Sequence, residues 1–231
     1  MIINNVDINN FKATLLSKDI QNSEIITYQD WLRNGFDPIV NAQEERYIDI
    51  KTKLLIEGDT EEEVHVLLST IISKSKTCTL KFDDIPFFFN CTLDNHSNSK
   101  VIKTTYELEL QFKSGHKYKP QVTETLNRIL TKTINVPGNL ETPAIVEITP
   151  SVDAIDLTIA GLDDDPIIIE NLKQNKKIII NGEDGTVLQD GINKYGDTDM
   201  WDFPRLKPGS NTITLSKNTM DVNIKYKGRW I

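Results

Sequence analysis

Two stretches of strict alternation constrain this chain more than any other feature of it. From Arg46 to Glu57, residues Ile48, Ile50, Thr52, Leu54 and Ile56 share one side, while Asp49, Lys51 and Lys53 share the other. Thr105–Lys113 repeats the pattern, with Tyr106, Leu108, Leu110 and Phe112 facing one way. Successive side chains of an extended strand point to opposite faces, so both segments read as strands with one face buried and one in water. Such strands need an apolar layer over the buried face, and a candidate lies between them. Gly58 ends the first strand and Thr60 reads as a helix N-cap, with Glu63 completing a capping box. Glu61, Glu62 and Glu63 place negative charge where the helix dipole favours it. Val64, Leu67, Leu68, Ile71 and Ile72 follow at helical spacing, which predicts a helix over about residues 60–74 packed on the sheet.

The flanking segments are mostly strands. Thr77–Asp83 and Phe87–Asp94 read as a hairpin turning at Asp84-Ile85, which sets Cys78 opposite Cys91. Two cysteines are too few for a disulfide scaffold or a structural zinc site, and they are expected as buried thiols. Tyr28–Phe36, with Trp31 and Phe36, shows neither period, and an extended arm is one reading of it. Val122–Leu130 reads as a short helix with Leu126, Ile129 and Leu130 on its apolar side. From Thr133 onward there are only strands and turns: Ala144–Thr149, Ile155–Ala160, Pro166–Leu172, Lys176–Ile180, Thr186–Gln189, Asn211–Ser216 and Asp221–Lys227. Short strands at this spacing predict a β-sandwich. Asn181-Gly-Glu-Asp-Gly185 is a hairpin turn whose glycines allow positive φ. The expected fold is therefore mainly β with one clear α-helix, in two domains of residues 1–132 and 133–231.

Composition narrows the function. With 38% hydrophobic and 26% charged residues the chain can build a core. A net charge of −8 argues against a nucleic-acid-binding surface, which needs a clustered positive field. The start, Met1-Ile-Ile-Asn-Asn-Val, has no basic or long apolar targeting pattern, and no run approaches the ~20 apolar residues of a membrane span. A soluble product made in the cytoplasm is expected, with no membrane partner. His65, His96 and His116 are scattered, and no His-Glu-x-x-His, Gly-x-Ser-x-Gly or phosphate-loop motif occurs. No catalytic residue, cofactor or metal is therefore expected. Asp197, Asp199 and Asp202 share a loop and are oxygen donors of the kind calcium takes, although water and backbone amides satisfy such loops equally well.

The most informative stretch is Trp201-Asp202-Phe203-Pro204-Arg205-Leu206-Lys207-Pro208-Gly209-Ser210-Asn211-Thr212-Ile213. Phe203 and Leu206 are apolar anchors around Pro204, which cannot donate to a ladder and belongs at a strand end. Pro208-Gly209 reads as a type II turn pair, and Asn211 begins a strand whose Ile213 and Leu215 point inward. Val222, Ile224 and Tyr226 then alternate in a last strand. After it, Arg229 and Trp230 are available either for an intermolecular contact or for plain packing.

This stretch, followed by Tyr226-Lys-Gly-Arg229-Trp230, resembles the C-terminal signature of the distal tail (Dit) proteins of long-tailed bacteriophages. Asn135-Val-Pro-Gly-Asn139 with Thr142-Pro143 resembles that family's entry into its second domain, and Ile178–Val187 with Asp190-Gly191 its middle hairpin. The resemblance is tight over residues 135–231 and looser before. It implies an N-terminal belt domain that forms a hexameric ring and a C-terminal galectin-like sandwich. It implies a structural virion protein of the tail tip (baseplate), made late in the host cytoplasm, and not an enzyme. Its expected partners are its own copies, the tail tube protein, tail-tip or tail-associated proteins and receptor-binding proteins, with DNA passing through the lumen without specific binding. Candidate partner or structural residues are Trp201, Asp202, Phe203, Pro204, Pro208, Gly209, Asn211, Tyr226, Arg229 and Trp230. The alternative is a sandwich module that binds host-surface glycans, with Trp201 beside Asp199 and Asp202 as its only constellation.

Overall fold

The computed structural model describes all 231 residues, Met1–Ile231. The chain divides into two compact units, Met1–Tyr118 with Ile231, and Lys119–Trp230.

The first unit contains β1 (Ile2–Ile3), β2 (Val6–Asp7), β3 (Ala13–Gln21), β4 (Ile25–Asp30), β5 (Ile39–Glu45) and β6 (Ile48–Glu57). The helix α1 (Glu61–Ser75) follows, then β7 (Thr77–Lys81), β8 (Phe88–Ile102) and β9 (Thr105–Tyr118). An antiparallel sheet runs in the order β2-β1-β7-β8-β9-β6-β3. The two alternating strands lie side by side in it, Ile50 opposite Phe112 and Leu54 opposite Leu108. All of Ile48, Ile50, Leu54, Ile56, Tyr106, Leu108, Leu110 and Phe112 are buried. Val64, Leu68 and Ile71 of α1 join the same core, and burying each such side chain contributes roughly 2 kcal/mol. The helix begins as the sequence implies: the Glu63 amide donates to Thr60 Oγ1 at 3.1 Å. The return bond differs by one residue, because Glu63 Oε2 accepts from the Asp59 amide at 2.7 Å. Cys78 pairs with Cys91 in register; both are buried and unbonded, and burial pushes the Cys78 thiol up to about 12.

The second unit contains β10 (Val122–Asn127), β11 (Thr131–Val136), β12 (Thr142–Pro150), β13 (Ala154–Ala160), β14 (Ile167–Leu172) and β15 (Ile178–Asn181). It continues with β16 (Thr186–Gln189), β17 (Ile192–Asn193), β18 (Thr198–Asp199), β19 (Arg205–Leu206), β20 (Gly209–Leu215), β21 (Met220–Tyr226) and β22 (Arg229–Trp230). One sheet runs β10-β21-β12-β15-β16-β17 and the other β11-β20-β13-β14-β18, all antiparallel. Their inner faces share one core, with Val146, Ile148, Val222 and Ile224 from the first sheet and Leu157, Ile159, Ile169 and Ile213 from the second. That is a β-sandwich.

Two expectations are corrected here. Val122–Leu130 is no helix: Leu126 pairs with Val222 across β10 and β21. Leu126 is buried while Ile129 and Leu130 are exposed, so the three residues never share a face. The chain divides between Tyr118 and Lys119, upstream of Lys132, because β10 and β11 are ladder partners of β21 and β20.

Candidate interaction surfaces

The three signature pieces of the second half meet in space. Gly182 donates its amide to the Ala144 carbonyl at 3.0 Å, and the Ala144 amide donates to the Pro204 carbonyl at 2.8 Å. A Cβ on Gly182 would lie 2.3 Å from the Pro204 oxygen and 2.8 Å from the Ala144 oxygen. Gly182 is thus required for close approach, and Gly185, with φ +66, is the residue that supplies the left-handed turn. Thr142 pairs with Leu206 in the ladder and its hydroxyl donates to the Lys227 carbonyl at 2.6 Å. The Asn139 amide donates to the Arg229 carbonyl at 3.0 Å. A Cβ on Gly138 would meet that same oxygen at 2.3 Å, and one on Gly228 would meet the Pro137 oxygen at 2.4 Å.

Within this clasp most of the sequence-predicted residues face inward. Pro204, Asn211 and Tyr226 are buried, and Phe203 packs on the core while stacking with Tyr195 at 6.0 Å. Gly209 takes φ +90 in the Pro208-Gly209 turn. Asn211 locks that turn: its Oδ1 accepts from the Lys207 amide at 3.0 Å. Its Nδ2 donates to the Lys207 and Gly209 carbonyls at 2.7 and 3.0 Å. Lys119 Nζ lies 5.2 Å from the Trp230 ring centre, and burial lowers the Arg229 guanidinium below its ordinary value. Trp201 stands apart at 86% exposed.

Beside Trp201 the charges form a network that sequence reading did not find. Arg205 Nη2 reaches Asp163 and Asp202, each at 2.8 Å, and Lys207 meets Asp164 at 2.7 Å. Hydrogen bonding to Asp163 raises Arg205 further. Asp197, Asp199 and Asp202 are not gathered. Asp197 holds Lys194 at 2.6 Å and Asn171 at 3.1 Å, Asp202 holds Arg205, and the structure forms no group of three carboxylate, histidine or cysteine ligands that could hold a metal. No helix is long and apolar enough to cross a membrane.

The first unit presents a different kind of surface. β4 and β5 pair only with each other, and every residue of β5 is exposed. This ribbon and its tip carry Ile25, Tyr28, Trp31, Leu32, Phe36, Ile39 and Val40 into solvent, Phe36 at 98%. The main sheet is also open at both sides. β3 ends it, paired with β6 alone. On the other side β7 covers only Phe88–Thr92 of β8, so Asp94–Ile102 bond to β9 and to no second strand. Lys113 meets Asp94 at 3.1 Å, and Lys53 meets Glu107 at 2.7 Å, on the solvated face.

Residues 137–230 match the profile of the siphovirus-type tail component, C-terminal domain. None of the curated proteins matches the chain in sequence. Among solved structures, the Dit protein (gp 19.1) of phage SPP1 aligns with 100% of this chain and 98% of its own, at a TM-score of 0.82 and 11% identity. It is described as a paradigm of the hub of the adsorption apparatus in phages that infect Gram-positive bacteria. Chains of the phage P2 baseplate in its activated conformation, with calcium and with strontium, align with 95% of this chain and 92% of theirs. Both are 15% identical, at TM-scores of 0.57 and 0.59. The whole chain thus has the fold of the Dit protein, and its residues 137–230 match the siphovirus-type tail-component family.

Proposed function

We infer that copies of this chain close into a ring at the tip of a phage tail, about six on the pattern of the family it resembles. The ring joins the tail tube to tip and receptor-binding proteins and performs no chemistry. The observation that carries this reading is the end-to-end alignment with a tail hub protein, with nothing of either chain left over beyond a few per cent. The belt role falls to the first unit and the galectin-like role to the sandwich.

The surfaces described above support it. A closed ring needs a heterologous interface, one patch of each copy meeting a different patch of the next. The open edge of β3 and the open edge of β8 at Asp94–Ile102 lie at opposite sides of one sheet. Pairing the first to the neighbour's second continues the sheet from copy to copy by main-chain hydrogen bonds. The ribbon supplies the apolar contact, since an isolated two-stranded hairpin is marginal in water and its aromatic residues find cover on a second copy. Charge is compatible: a ring of six at −8 each carries about −48, a wall that does not attract DNA phosphates.

Light scattering of the purified chain and imaging of whole particles are expected to show this ring. Particles with no annulus where the tube meets the tip would overturn the reading, as would turnover of any substrate by pure protein. A lumen lined with Lys and Arg would sink the argument about charge.

A further inference from the structure

Both sheets of the sandwich end on the same short segment. β17, the last strand of one sheet, and β18, the last strand of the other, are two residues long each and joined by the 3-10 turn Tyr195–Asp197. This segment puts three large apolar side chains into water: Ile192 at 73%, Tyr195 at 49% and Trp201 at 86% exposed. Two-residue strands offer too little backbone for another chain to add a strand, so whatever covers this edge is held by side chains. The charge there is one-sided. Arg205 and Lys207 are tied to Asp163, Asp202 and Asp164, whereas exposed Asp199, two residues from Trp201, has no cationic partner. Asp165, just ahead of the strand that β18 pairs with, has none either.

We propose that the β17–β18 edge is a docking site for an arginine-bearing loop of another tail protein, the guanidinium stacking on Trp201 and pairing with Asp199. An indole face is the best of the aromatic partners for a cation, and the planar guanidinium both stacks and forks onto a carboxylate, which a lysine ammonium does not. Ile192 and Tyr195 provide the surrounding apolar contact that keeps water from the pair. The proposal rests on the hub reading, because it names what one part of the hub grips.

The test uses the full chain and three synthetic hexapeptides in which alanine alternates with arginine, lysine or glutamate, with binding followed by titration calorimetry. The arginine peptide is expected to bind tightest, the glutamate peptide not at all, and binding to weaken as salt shortens the screening length. Trp201→Ala and Asp199→Lys are each expected to lower the affinity about tenfold. Glu62→Lys, on α1 of the first unit, changes net charge as much as Asp199→Lys and is expected to leave affinity alone. Equal loss in Glu62→Lys, or undiminished binding by Trp201→Ala, overturns the proposal. So does Trp201-dependent binding of neutral oligosaccharides without peptide binding, which assigns the edge to glycans instead. Ring mass measured on the same variants separates the two readings: a variant that still forms rings but loses the peptide has lost only this site.

Discussion

The ribbon of β4 and β5 and the clasp around Asn211 use their best residues in opposite directions. In the clasp, Phe203, Pro204, Asn211, Tyr226 and the tight glycines all close on the molecule itself. In the ribbon, Trp31, Leu32 and Phe36 close on nothing within the chain. The part of the sequence that most resembles known proteins is therefore scaffold. The ribbon lies outside the residues that match the family profile, and its apolar side chains are left in solvent. Recognisable motifs here mark backbone geometry, and contact surface has to be read from exposure.

That contrast can be broken experimentally, beginning with the clasp. Gly182→Ala drives a methyl into two carbonyl oxygens and is expected to cost about 3 kcal/mol or more, read as a lower urea midpoint for the sandwich. Asn211→Ala leaves the Lys207 amide and two carbonyls without their partner and is expected to cost about 2 kcal/mol. Glu147→Gln tests a half-buried charge in the same unit. Burial raises that carboxyl, but Lys225 at 2.7 Å and Lys177 at 2.9 Å more than offset it, and the group ends below its ordinary value. Its stabilisation is therefore present above the usual carboxylate range and is lost as pH falls through the lowered folded value. Glu147→Gln is expected to cost about 1–2 kcal/mol at neutral pH, and to cost nothing once the pH lies below that value. Thr52→Val has the opposite sign. The Thr52 hydroxyl is buried without a partner, and replacing it is expected to stabilise the first unit by about 1 kcal/mol in a thermal melt. The ribbon gives the smallest effect on folding: Trp31→Ser with Phe36→Ser is expected to move stability by under about 0.5 kcal/mol. The same pair is expected to abolish self-association in sedimentation. If instead the pair unfolds the chain, or leaves self-association intact, the contrast between ribbon and clasp is wrong.

Much of the fold was legible where one face is buried and the other wet. The alternation at Ile48–Ile56 and Tyr106–Phe112, the Thr60 cap and the Cys78–Cys91 register all survive in the structure. Legibility failed where burial does not alternate. Asp94–Ile102 is strand on both sides solvated, so no apolar period marks it, and β8 is longer than the expected Phe87–Asp94. Leu126, Ile129 and Leu130 imitate a helical face because a strand happens to be followed by a turn carrying two exposed aliphatics. Arg128 there takes φ +56, which no pattern announces. Of the candidate surface, Trp201 with Asp199 and the arm Tyr28–Phe36 were visible in sequence. The pairing of Arg205 with Asp163, 42 positions apart, is made by the sandwich and cannot be read from spacing.

The two halves also differ in how they can grow. A sheet edge with many free backbone groups invites another strand, and, unless rotation brings the last copy back to the first, addition continues into a fibre. At the β17–β18 end of the sandwich each strand is only two residues long, too short a template for stacking, whereas β10 and β11 at the opposite ends of its sheets are six residues long. In the first unit the edges of β3 and of Asp94–Ile102 could satisfy one another, and a closed assembly built that way would leave neither exposed.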